Sequence, residues 1–335
     1  PAFHFSRCVV PRRLLASTVV SVLLLGSAAC GNEPDASAEG PVASEGTDEA
    51  TGSLAGVIAE GEVGEDLTVT LEPPIESDEA QAEVLTEGEG NPLETNGAAL
   101  IHLYVGNGTS GEQAANTYEV GPPVQVAATE GQLFQVILDE VVGQPAGSRV
   151  AITAPAADVW GDQGAPQLKI AGDDTVVFVA DIVSVQPVEV LDTPEGTDIE
   201  PTEEAPVLVE EDGQVTGFDW SQAPKKAPKK LTVIPLIEGD GPEARAESMV
   251  TFDYFGAVYG KEKPFDESFS AEPVPFGVGV NGLIPAWDKT IPGLTQGSRV
   301  LIIAPPEDAY GDAKQPGIPA NSTLAFVVDV LGVDE

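Results

Sequence analysis

A long stretch that occurs twice, 150 positions apart, constrains the fold of this chain more than any other feature. Residues 147–162 have the sequence GSRVAITAPAADVWGD and residues 297–312 have GSRVLIIAPPEDAYGD, so that ten of the sixteen positions are identical. The same offset matches Tyr104 with Tyr254, whereas DDTVVFVADIV and NSTLAFVVDVL match at an offset of 148. A repeat of this length is far longer than the period of a solenoid, so we predict two related domains.

The spacing of the repeat sets the predicted boundaries. We predict one domain over residues 54–187 and a second over residues 206–335. Residues 188–205 join them with the sequence VEVLDTPEGTDIEPTEEA, which is rich in Pro, Glu and Asp and poor in large apolar side chains. That composition favours a flexible linker whose charges repel one another.

The first 29 residues are typical of a segment that directs export and is then removed. Arg12 and Arg13 precede the apolar run LLASTVVSVLLLGSAA, which ends in small residues just before Cys30. This arrangement resembles the lipobox of bacterial lipoproteins, whose cysteine is lipidated, although Ser27 stands where an aliphatic residue is usual. The alternative is an ordinary secretory signal with a chance cysteine. We expect residues 30–53 to form a disordered polar tether, and a diacylated Cys30 would be a stable membrane anchor.

The chain is strongly acidic, with a formal net charge of -40 at pH 7. A chain of this charge repels nucleic acid, so we expect no nucleic-acid partner and attribute the charge to solubility. Cys8 lies in the segment that is predicted to be removed, which leaves Cys30 without a partner for an internal disulfide. We expect a monomer whose stability comes from its hydrophobic cores.

Strand patterns dominate both predicted domains. LTVIPLIE, SMVTFDYFG, SRVLIIAPP and STLAFVVDVLG are short β-branched segments bounded by Gly, Pro or acidic turns. LIPAWDKTIPGL is the one plausible helix of the second copy, because Pro285 suits a first helical turn and Pro292 ends the helix. The predicted fold class is therefore α+β, with each domain an antiparallel sheet wrapped on a short helix.

Few residues are available for nucleophilic or metal chemistry. Without the first 29 residues the chain has one histidine, His102, and one cysteine. We therefore expect no metal, no cofactor and no Ser-His or Cys-His nucleophile. The second copy is instead rich in aromatic residues, and PFDESF and DAYGD place them beside carboxylates and glycines. These rings form either a hydrophobic core or a shallow aromatic pocket with a polar rim.

Six motifs follow one another in the second copy, between about residue 230 and residue 333: VTFDYFG, PFDES, PVPFGVGV, NGLIPAWD, GSRVLIIAPPEDAYGD and PGIPANSTLAFVVDVL. Their order and spacing resemble those of FKBP-type peptidyl-prolyl cis-trans isomerases. The resemblance implies a substrate pocket made of Tyr254, Phe265, Asp266, Phe276, Leu283, Ile284, Trp287, Tyr310, Ile318 and Phe326. Trp287 is expected under the bound proline ring and Asp266 on the polar rim. Tyr310 and the N–H of Ile284 are expected to donate hydrogen bonds to substrate carbonyls.

The same resemblance implies the ligands. Polypeptides with Xaa-Pro bonds are the expected substrates, and macrolides are a further candidate class of ligand. Two departures from the family pattern bear on the ligands. Gln315 stands where a histidine is common, in a loop that is one residue short near Ile318, and the arginine often found after the FDSS-type motif is missing from FDESFSAEPV. Both are expected to alter substrate preference and macrolide binding more than basic catalysis.

The first copy keeps the framework of the repeat and changes the residues that match the pocket. At the shared offset, Ala115, Asn116, Val126, Ile137 and Trp160 stand in place of Phe265, Asp266, Phe276, Trp287 and Tyr310. Tyr104 and Phe178 match Tyr254 and Phe326. We interpret the first copy as a degenerate domain with little or no isomerase activity, which either binds client chains or spaces the second domain from the membrane.

Together these features predict an exported prolyl isomerase, anchored by a lipid on Cys30 at the extracytoplasmic side of the cell membrane, that accelerates the folding of exported proteins. Its catalytic residues are expected to be Asp266, Tyr310, Ile284 and Trp287, all in the second domain. The alternative is a non-enzymatic chaperone or scaffold that binds clients through two FKBP-like domains, because a fold does not guarantee an activity.

Overall fold

The computed structural model describes residues 54–201, 205–211 and 213–334. The predicted signal segment (1–29), Cys30 and the predicted tether (30–53) lie outside the described residues. Within the described ranges, no helix is long and apolar enough to cross a membrane. These ranges form antiparallel sheets with a few short helices, as expected for an α+β chain dominated by strands.

A six-stranded antiparallel sheet, preceded by a hairpin, forms the first half of the described chain. The hairpin strands are β1 (Val57–Glu60) and β2 (Thr68–Leu71). The sheet strands are β3 (Gln81–Thr86), β4 (Ala98–Asn107), β5 (Gln113–Asn116), β6 (Val124–Ala127), β7 (Arg149–Pro155) and β8 (Thr175–Val185). Their order is β3-β7-β8-β4-β5, and β6 also pairs with β4. We call residues 54–185 the first sheet unit.

A seven-stranded antiparallel sheet forms the second half, and its central order of strands repeats that of the first. Its strands are β9 (Gly196–Asp198), β12 (Thr232–Gly239), β13 (Met249–Val258), β14 (Pro264–Glu267), β15 (Val274–Gly277), β16 (Arg299–Ala304) and β17 (Leu324–Val333). A separate hairpin consists of β10 (Val207–Glu211) and β11 (Gln214–Asp219). The order is β14-β13-β17-β16-β12-β9, and β15 also pairs with β13. We call residues 196–334 the second sheet unit.

The helices are short and stand between strands. They are α1 (Gln135–Val141), α2 (Ala156–Trp160) and α3 (Pro285–Thr290), with 3-10 turns at Thr117–Glu119, Pro166–Leu168 and Pro306–Asp308. The helix predicted for the second copy is confirmed as α3. Pro285 occupies its first turn, where a missing N–H has no cost, and the helix ends before Pro292.

Both sheets are covered on both faces, which explains why their central strands are buried along almost their whole length. In the first sheet unit, α1 packs on the face that carries Phe178, and the hairpin of β1 and β2 packs on the face that carries Val177 and Val179. In the second, α3 and the hairpin of β10 and β11 cover the two faces in the same way. Because successive side chains of a strand point to opposite faces, β8 and β17 are nearly continuous apolar runs.

A buried Arg–Asp pair holds the same place in each sheet. Arg149 on β7 donates two hydrogen bonds of 2.7 Å to Asp181 on β8. Arg299 on β16 donates to Asp329 on β17 at 2.5 and 2.7 Å. All four side chains are buried, and the bidentate geometry compensates each charge. The repeated stretches of the sequence therefore occupy equivalent places in the two sheets.

The segment predicted to be a flexible linker (188–205) is partly bound to the second sheet. Gly196–Asp198 forms β9, which pairs antiparallel with β12, and the N–H of Ile199 donates to the C=O of Leu236 at 2.9 Å. Composition gave no sign of this contact. It arises because main-chain groups fill the open edge of β12, which requires no apolar side chain.

Candidate active site

The indole ring of Trp287 is the centre of an aromatic cluster in the second sheet unit. Trp287 lies on α3 and is 1% exposed. Its ring meets those of Phe252, Tyr254 and Phe326 at centroid distances of 5.4, 5.3 and 5.5 Å, with interplanar angles of 81–83°. Aromatic pairs favour such perpendicular contacts, so three strand residues fix the orientation of the indole.

Two further rings border this cluster from short strands that pair with β13. The ring of Phe265 on β14 is perpendicular to that of Phe326 at 5.7 Å, and Phe276 on β15 stacks with Phe252 at 6.1 Å. Gly256 makes the first of these contacts possible. A Cβ there would lie 2.8 Å from Phe265 and 2.9 Å from Phe326, so a side chain at this position would separate the two rings.

Polar groups lie at the border of the cluster. The hydroxyl of Tyr254 donates to the Asp266 carboxylate at 2.8 Å. Tyr310 is half-buried, and burial together with the negative charge of Asp266 raises its pKa to about 12. Burial and the same carboxylate also raise the pKa of Tyr254. Both hydroxyls therefore keep their protons at neutral pH and can act as hydrogen-bond donors.

The loop before α3 holds Leu283 and Ile284. Ile284 is the N-cap residue of the helix, and its C=O accepts a hydrogen bond from the N–H of Trp287 at 2.9 Å. The Asp288 carboxylate accepts from the N–H groups of Gly279 at 2.8 Å and of Leu283 at 3.3 Å, which holds the loop against the helix. Within the part of the chain that the structure describes, no acceptor is paired with the N–H of Ile284. This N–H is thus available to a ligand.

Two carboxylates that the sequence analysis missed position this region. Asp288 holds the loop as described, and Asp308 accepts a hydrogen bond from Lys289 at 2.6 Å. The second contact ties α3 to the 3-10 turn just before Tyr310. Asp288 had a usable signal, because a carboxylate in the first turn of a predicted helix often accepts main-chain N–H groups. Asp308 had none, because its partner depends on how the turn packs on the helix.

All ten predicted site residues gather around one core. Six of them are buried in it, namely Tyr254, Phe276, Ile284, Trp287, Ile318 and Phe326. Phe265, Leu283 and Tyr310 are partly buried and pack against it, and Asp266 joins it through its bond to Tyr254. Ile318 is held in its loop by two main-chain hydrogen bonds with Gln315. The fold thus brings the ten residues together, and their roles in substrate binding stay predictions.

The indole nitrogen of Trp287 adds a feature that the sequence did not indicate. Among the described residues, Trp287 Nε1 is a buried side-chain donor without a hydrogen-bond partner. Such a group costs about 1–3 kcal/mol of stability. No group of three His, Cys, Asp or Glu side chains within the described ranges could hold a metal ion. The arrangement suits an apolar ligand that carries carbonyl oxygens.

The first sheet unit fills the equivalent place with its own side chains. The rings of Phe134 and Trp160 lie 5.5 Å apart, and Phe178 lies 6.1 Å from the first and 6.0 Å from the second. Phe134 is the N-cap residue of α1, just as Ile284 is of α3. A ring therefore stands where the second sheet unit has a branched aliphatic side chain.

The strand register corrects one part of the alignment between the two copies. Val105 on β4 is opposite Phe178 on β8, whereas Gly256 on β13 is opposite Phe326 on β17. Phe178 and Phe326 are counterparts at an offset of 148. The residues opposite them, Val105 and Gly256, are therefore also counterparts, and their offset is 151 rather than 150. A shift of one residue moves every side chain to the other face of a sheet.

The predicted match of Tyr104 with Tyr254 is therefore wrong. Tyr104 faces the hairpin of β1 and β2, and Leu103 packs in the core that corresponds to the aromatic cluster. In the same register the counterparts of Phe265 and Asp266 are Ala114 and Ala115, rather than Ala115 and Asn116. The first sheet unit has thus replaced one more ring than the sequence comparison indicated.

The second sheet unit is a sheet covered on both faces, with an aromatic cluster beside a short helix. Comparisons with known proteins identify the family that has this fold. The family model for FKBP-type peptidyl-prolyl cis-trans isomerases matches residues 241–331, all in the second sheet unit. The chain is 35% identical over 109 residues to an FK506-binding protein of Streptomyces anulatus, which covers 32% of this chain and 88% of that protein. The chain therefore belongs to the FKBP-type peptidyl-prolyl cis-trans isomerase family.

Longer relatives are matched over part of their length. The FKBP-type peptidyl-prolyl cis-trans isomerase FkpA of Escherichia coli K12 is 39% identical over 104 residues, which are 30% of this chain and 37% of that protein. This chain thus spans little more than a third of that relative. A crystal structure of FkpA from Escherichia coli is 34% identical with a TM-score of 0.30, covering 32% of this chain and 50% of the other.

Proposed function

We propose that this chain is a peptidyl-prolyl cis-trans isomerase whose active site is the aromatic cluster of the second sheet unit. The observation that carries the proposal is the buried indole of Trp287, held by perpendicular rings, with Tyr310 and Asp266 at its border. Membership of the family supports the activity, and the matched residues 241–331 include all three side chains.

The reaction needs no proton transfer and no covalent intermediate. Rotation about an Xaa-Pro bond is slow because amide resonance must be broken, against a barrier of roughly 18–20 kcal/mol. The uncatalysed step takes tens of seconds or longer and can limit folding. A twisted amide has lost its resonance and charge separation, so an apolar site favours it over the planar amide. Catalysis of this kind is stronger binding of the transition state than of the substrate.

Each residue then has a defined part. The proline ring packs on the indole of Trp287, whose orientation is fixed by its neighbours. The protonated hydroxyl of Tyr310 and the available N–H of Ile284 donate to the carbonyl oxygens that flank the rotating bond. Asp266 holds the hydroxyl of Tyr254 at 2.8 Å and thereby keeps that wall of the site in place.

One observation favours a different role for the first sheet unit. The ring of Phe134 packs with those of Trp160 and Phe178, at the position where the second unit has Ile284. We propose that this unit has no isomerase activity and contributes binding surface or spacing.

We further propose that the two sheet units belong to two FKBP-like domains, over residues 54–187 and 206–335. In this proposal residues 1–29 direct export, a lipid on Cys30 anchors the chain to the outer side of the cell membrane, and residues 30–53 are the tether. The substrates are then exported polypeptides that fold outside the cytoplasm, and the protein acts as a monomer. The name of the Streptomyces relative makes FK506 and related macrolides candidate ligands.

The test is the rate of cis-trans isomerisation of a short peptide with one Leu-Pro bond, measured with the full chain. We expect the unaltered protein to accelerate the reaction and Trp287→Leu to remove most of the acceleration. The matched control is Ile137→Val, at the equivalent place on α1, which should leave the rate unchanged. Circular dichroism confirms that each variant is folded. A folded wild-type chain without any acceleration would contradict the proposal and favour client binding alone.

A further inference from the structure

One wall of the aromatic cluster lies on a strand with an open edge. Phe276 is the third residue of β15, which pairs on one side with β13. In an antiparallel strand, the C=O of residue 275 and the N–H of residue 277 point to the same side, away from the groups of Phe276 itself. Those two groups are at the other edge of β15, where they bond either to solvent or to another part of the chain.

Gln125 of the first sheet unit supplies both partners. Its side-chain amide nitrogen donates to the C=O of Pro275 at 3.2 Å, and its amide oxygen accepts from the N–H of Gly277 at 3.0 Å. Gln125 lies on β6, and the paired main-chain groups belong to the residues on either side of Phe276. One side chain of the first sheet unit thus completes the hydrogen bonding of the strand that carries a wall of the site.

Apolar packing supports the same contact. Leu100 on β4 of the first sheet unit is fully buried, and it approaches Gly277 so closely that a Cβ on this glycine would lie 2.6 Å from its methyl carbon. Leu100 also shares a small buried cluster with Met249 and Val280. Val280 lies on the loop that leads to Leu283 and Ile284, so the first sheet unit contacts both β15 and the loop before α3.

A third contact holds the two units together away from the site. The hydroxyl of Ser184 accepts a hydrogen bond from the N–H of Met249 at 2.8 Å and donates to Asp334 at 2.6 Å. The N–H of Val185 donates to the same carboxylate at 2.9 Å. Met249 begins β13 and Asp334 follows β17, so the central strands of the second sheet are fixed to the end of β8.

We propose that the first sheet unit, through Gln125, positions the segment from Val274 to Ile284 that forms one wall of the active site. Gln125 is a positioning residue, because it contacts main-chain groups of the wall and not the ligand. The inference rests on the proposed function and extends it. The unit that has lost its own aromatic pocket takes part in binding by holding the pocket of the other unit.

The test compares Gln125→Met with the wild-type full chain. Methionine keeps a side chain of similar length and removes both hydrogen bonds, and Gln125 is exposed, so the fold should be unaffected. The matched control is Gln113→Met, since Gln113 is an exposed glutamine of the same unit whose amide bonds only to Glu119 among the described residues. Three quantities are measured: amide hydrogen exchange at Gly277, the Kd of a short Leu-Pro peptide by calorimetry, and the isomerisation rate.

We expect Gln125→Met to speed exchange at Gly277 and to raise the peptide Kd about threefold, the effect of losing modest hydrogen bonds. The rate per bound peptide should stay unchanged, which separates positioning of the wall from a general loss of fold. Gln113→Met should match the wild type. An unchanged Kd for Gln125→Met would overturn the inference, whether or not exchange at Gly277 changes. Lack of isomerisation by the wild-type chain would overturn the proposed function alone, because the Kd comparison still decides the role of Gln125.

Discussion

The two sheet units have the same order of strands and the same buried ion pair, yet their centres differ. In the second, Ile284 precedes α3 and the indole of Trp287 lies among perpendicular rings with polar groups at the border. In the first, Phe134 precedes α1 and its ring centroid lies 5.5 Å from that of Trp160. One fold thus holds either an aromatic cluster with polar groups at its border or a cluster in which the rings of Phe134 and Trp160 pack together.

The framework and the candidate site therefore depend on different residues. The framework depends on central strands and on the Arg–Asp pairs, which are alike in the two units. The candidate site depends on individual side chains: Tyr254 on β13 and Trp287 on α3 stand where the first unit has Leu103 and Ile137. The units also differ in the residues of the short strands β14 and β15, the loop before α3 and the turn before Tyr310. Loops and strand ends on a rigid sheet are where function commonly resides.

The largest effect we expect concerns the shared framework. Asp181→Ala in the first unit leaves the buried guanidinium of Arg149 without a carboxylate. Asp329→Ala in the second leaves Arg299 paired with Glu210, so the matched variant there is Asp329→Ala combined with Glu210→Gln. Breaking a buried pair in this way should lower the free energy of unfolding by about 3–5 kcal/mol. Urea denaturation of the full chain measures both losses, and a shared framework requires them to be similar.

An exposed ion pair of the first unit is the control for this comparison. Glu112 lies 3.7 Å from Lys169, and their side chains are 65% and 83% exposed. Glu112→Gln should change the free energy of unfolding by less than about 0.5 kcal/mol, because solvent screens the pair. If one aspartate variant lost several kcal/mol and the other lost as little as this control, the two sheets would not be equivalent.

A smaller effect is expected from the residue that distinguishes the repeated stretches, Tyr310 in one and Trp160 in the other. Tyr310→Phe keeps the ring and removes the hydroxyl, so kcat/KM for a Leu-Pro peptide should fall by up to about tenfold, the worth of one good hydrogen bond. Trp160→Phe changes the equivalent place of the first unit and should leave kcat/KM unchanged. Equal losses of kcat/KM in the two variants would show that both units act on the peptide, which would contradict an active site in the second unit alone.

The framework was largely predictable from the sequence, because its strands and helix follow periodic patterns of apolar residues. The repeat, the strand segments and the helix at Pro285 depend on turn residues and apolar runs that are local in the chain. The structure of the predicted linker at residues 188–205 was not predictable, because its strand β9 forms by main-chain pairing with the edge of β12. The match of Tyr104 with Tyr254 failed because β4 and β13 differ by one position in register, and such a shift is invisible to a fixed offset.

The site was predictable in part. Its ten residues came from motifs in the second copy, and the fold gathers them around Trp287. The contacts that hold them were not predictable, because they join residues far apart in sequence. Gln125 bonds to residues 150 and 152 positions away, and its partners are main-chain groups that carry no signature in the side-chain pattern. Lys289 and Asp308 are likewise brought together by the packing of a turn on a helix.

The smallest effect we expect is that of pH on kcat/KM, which should not change over a wide range. Burial and the charge of Asp266 raise the pKa of Tyr310 to about 12, above the usual value near 10 for tyrosine. For a group whose pKa is raised by folding, the stabilising contribution is complete below the unfolded value and is lost as the pH rises through the folded value. The hydroxyl should therefore remain a donor, and kcat/KM should be constant between about pH 7 and about pH 10.

Comparison of the pH profiles of the wild type and Tyr310→Phe makes this prediction decisive. Both profiles should be flat in that window, with the variant lower by a constant factor, and circular dichroism at each pH confirms that the chain stays folded. The factor should shrink only as the pH approaches 12, where the wild type begins to lose its donor. A decline of the wild type with a midpoint below pH 10 that is missing from Tyr310→Phe would mean that Tyr310 ionises as an exposed tyrosine does. In that case the half-buried border of the second unit would not be protecting its hydroxyl donor.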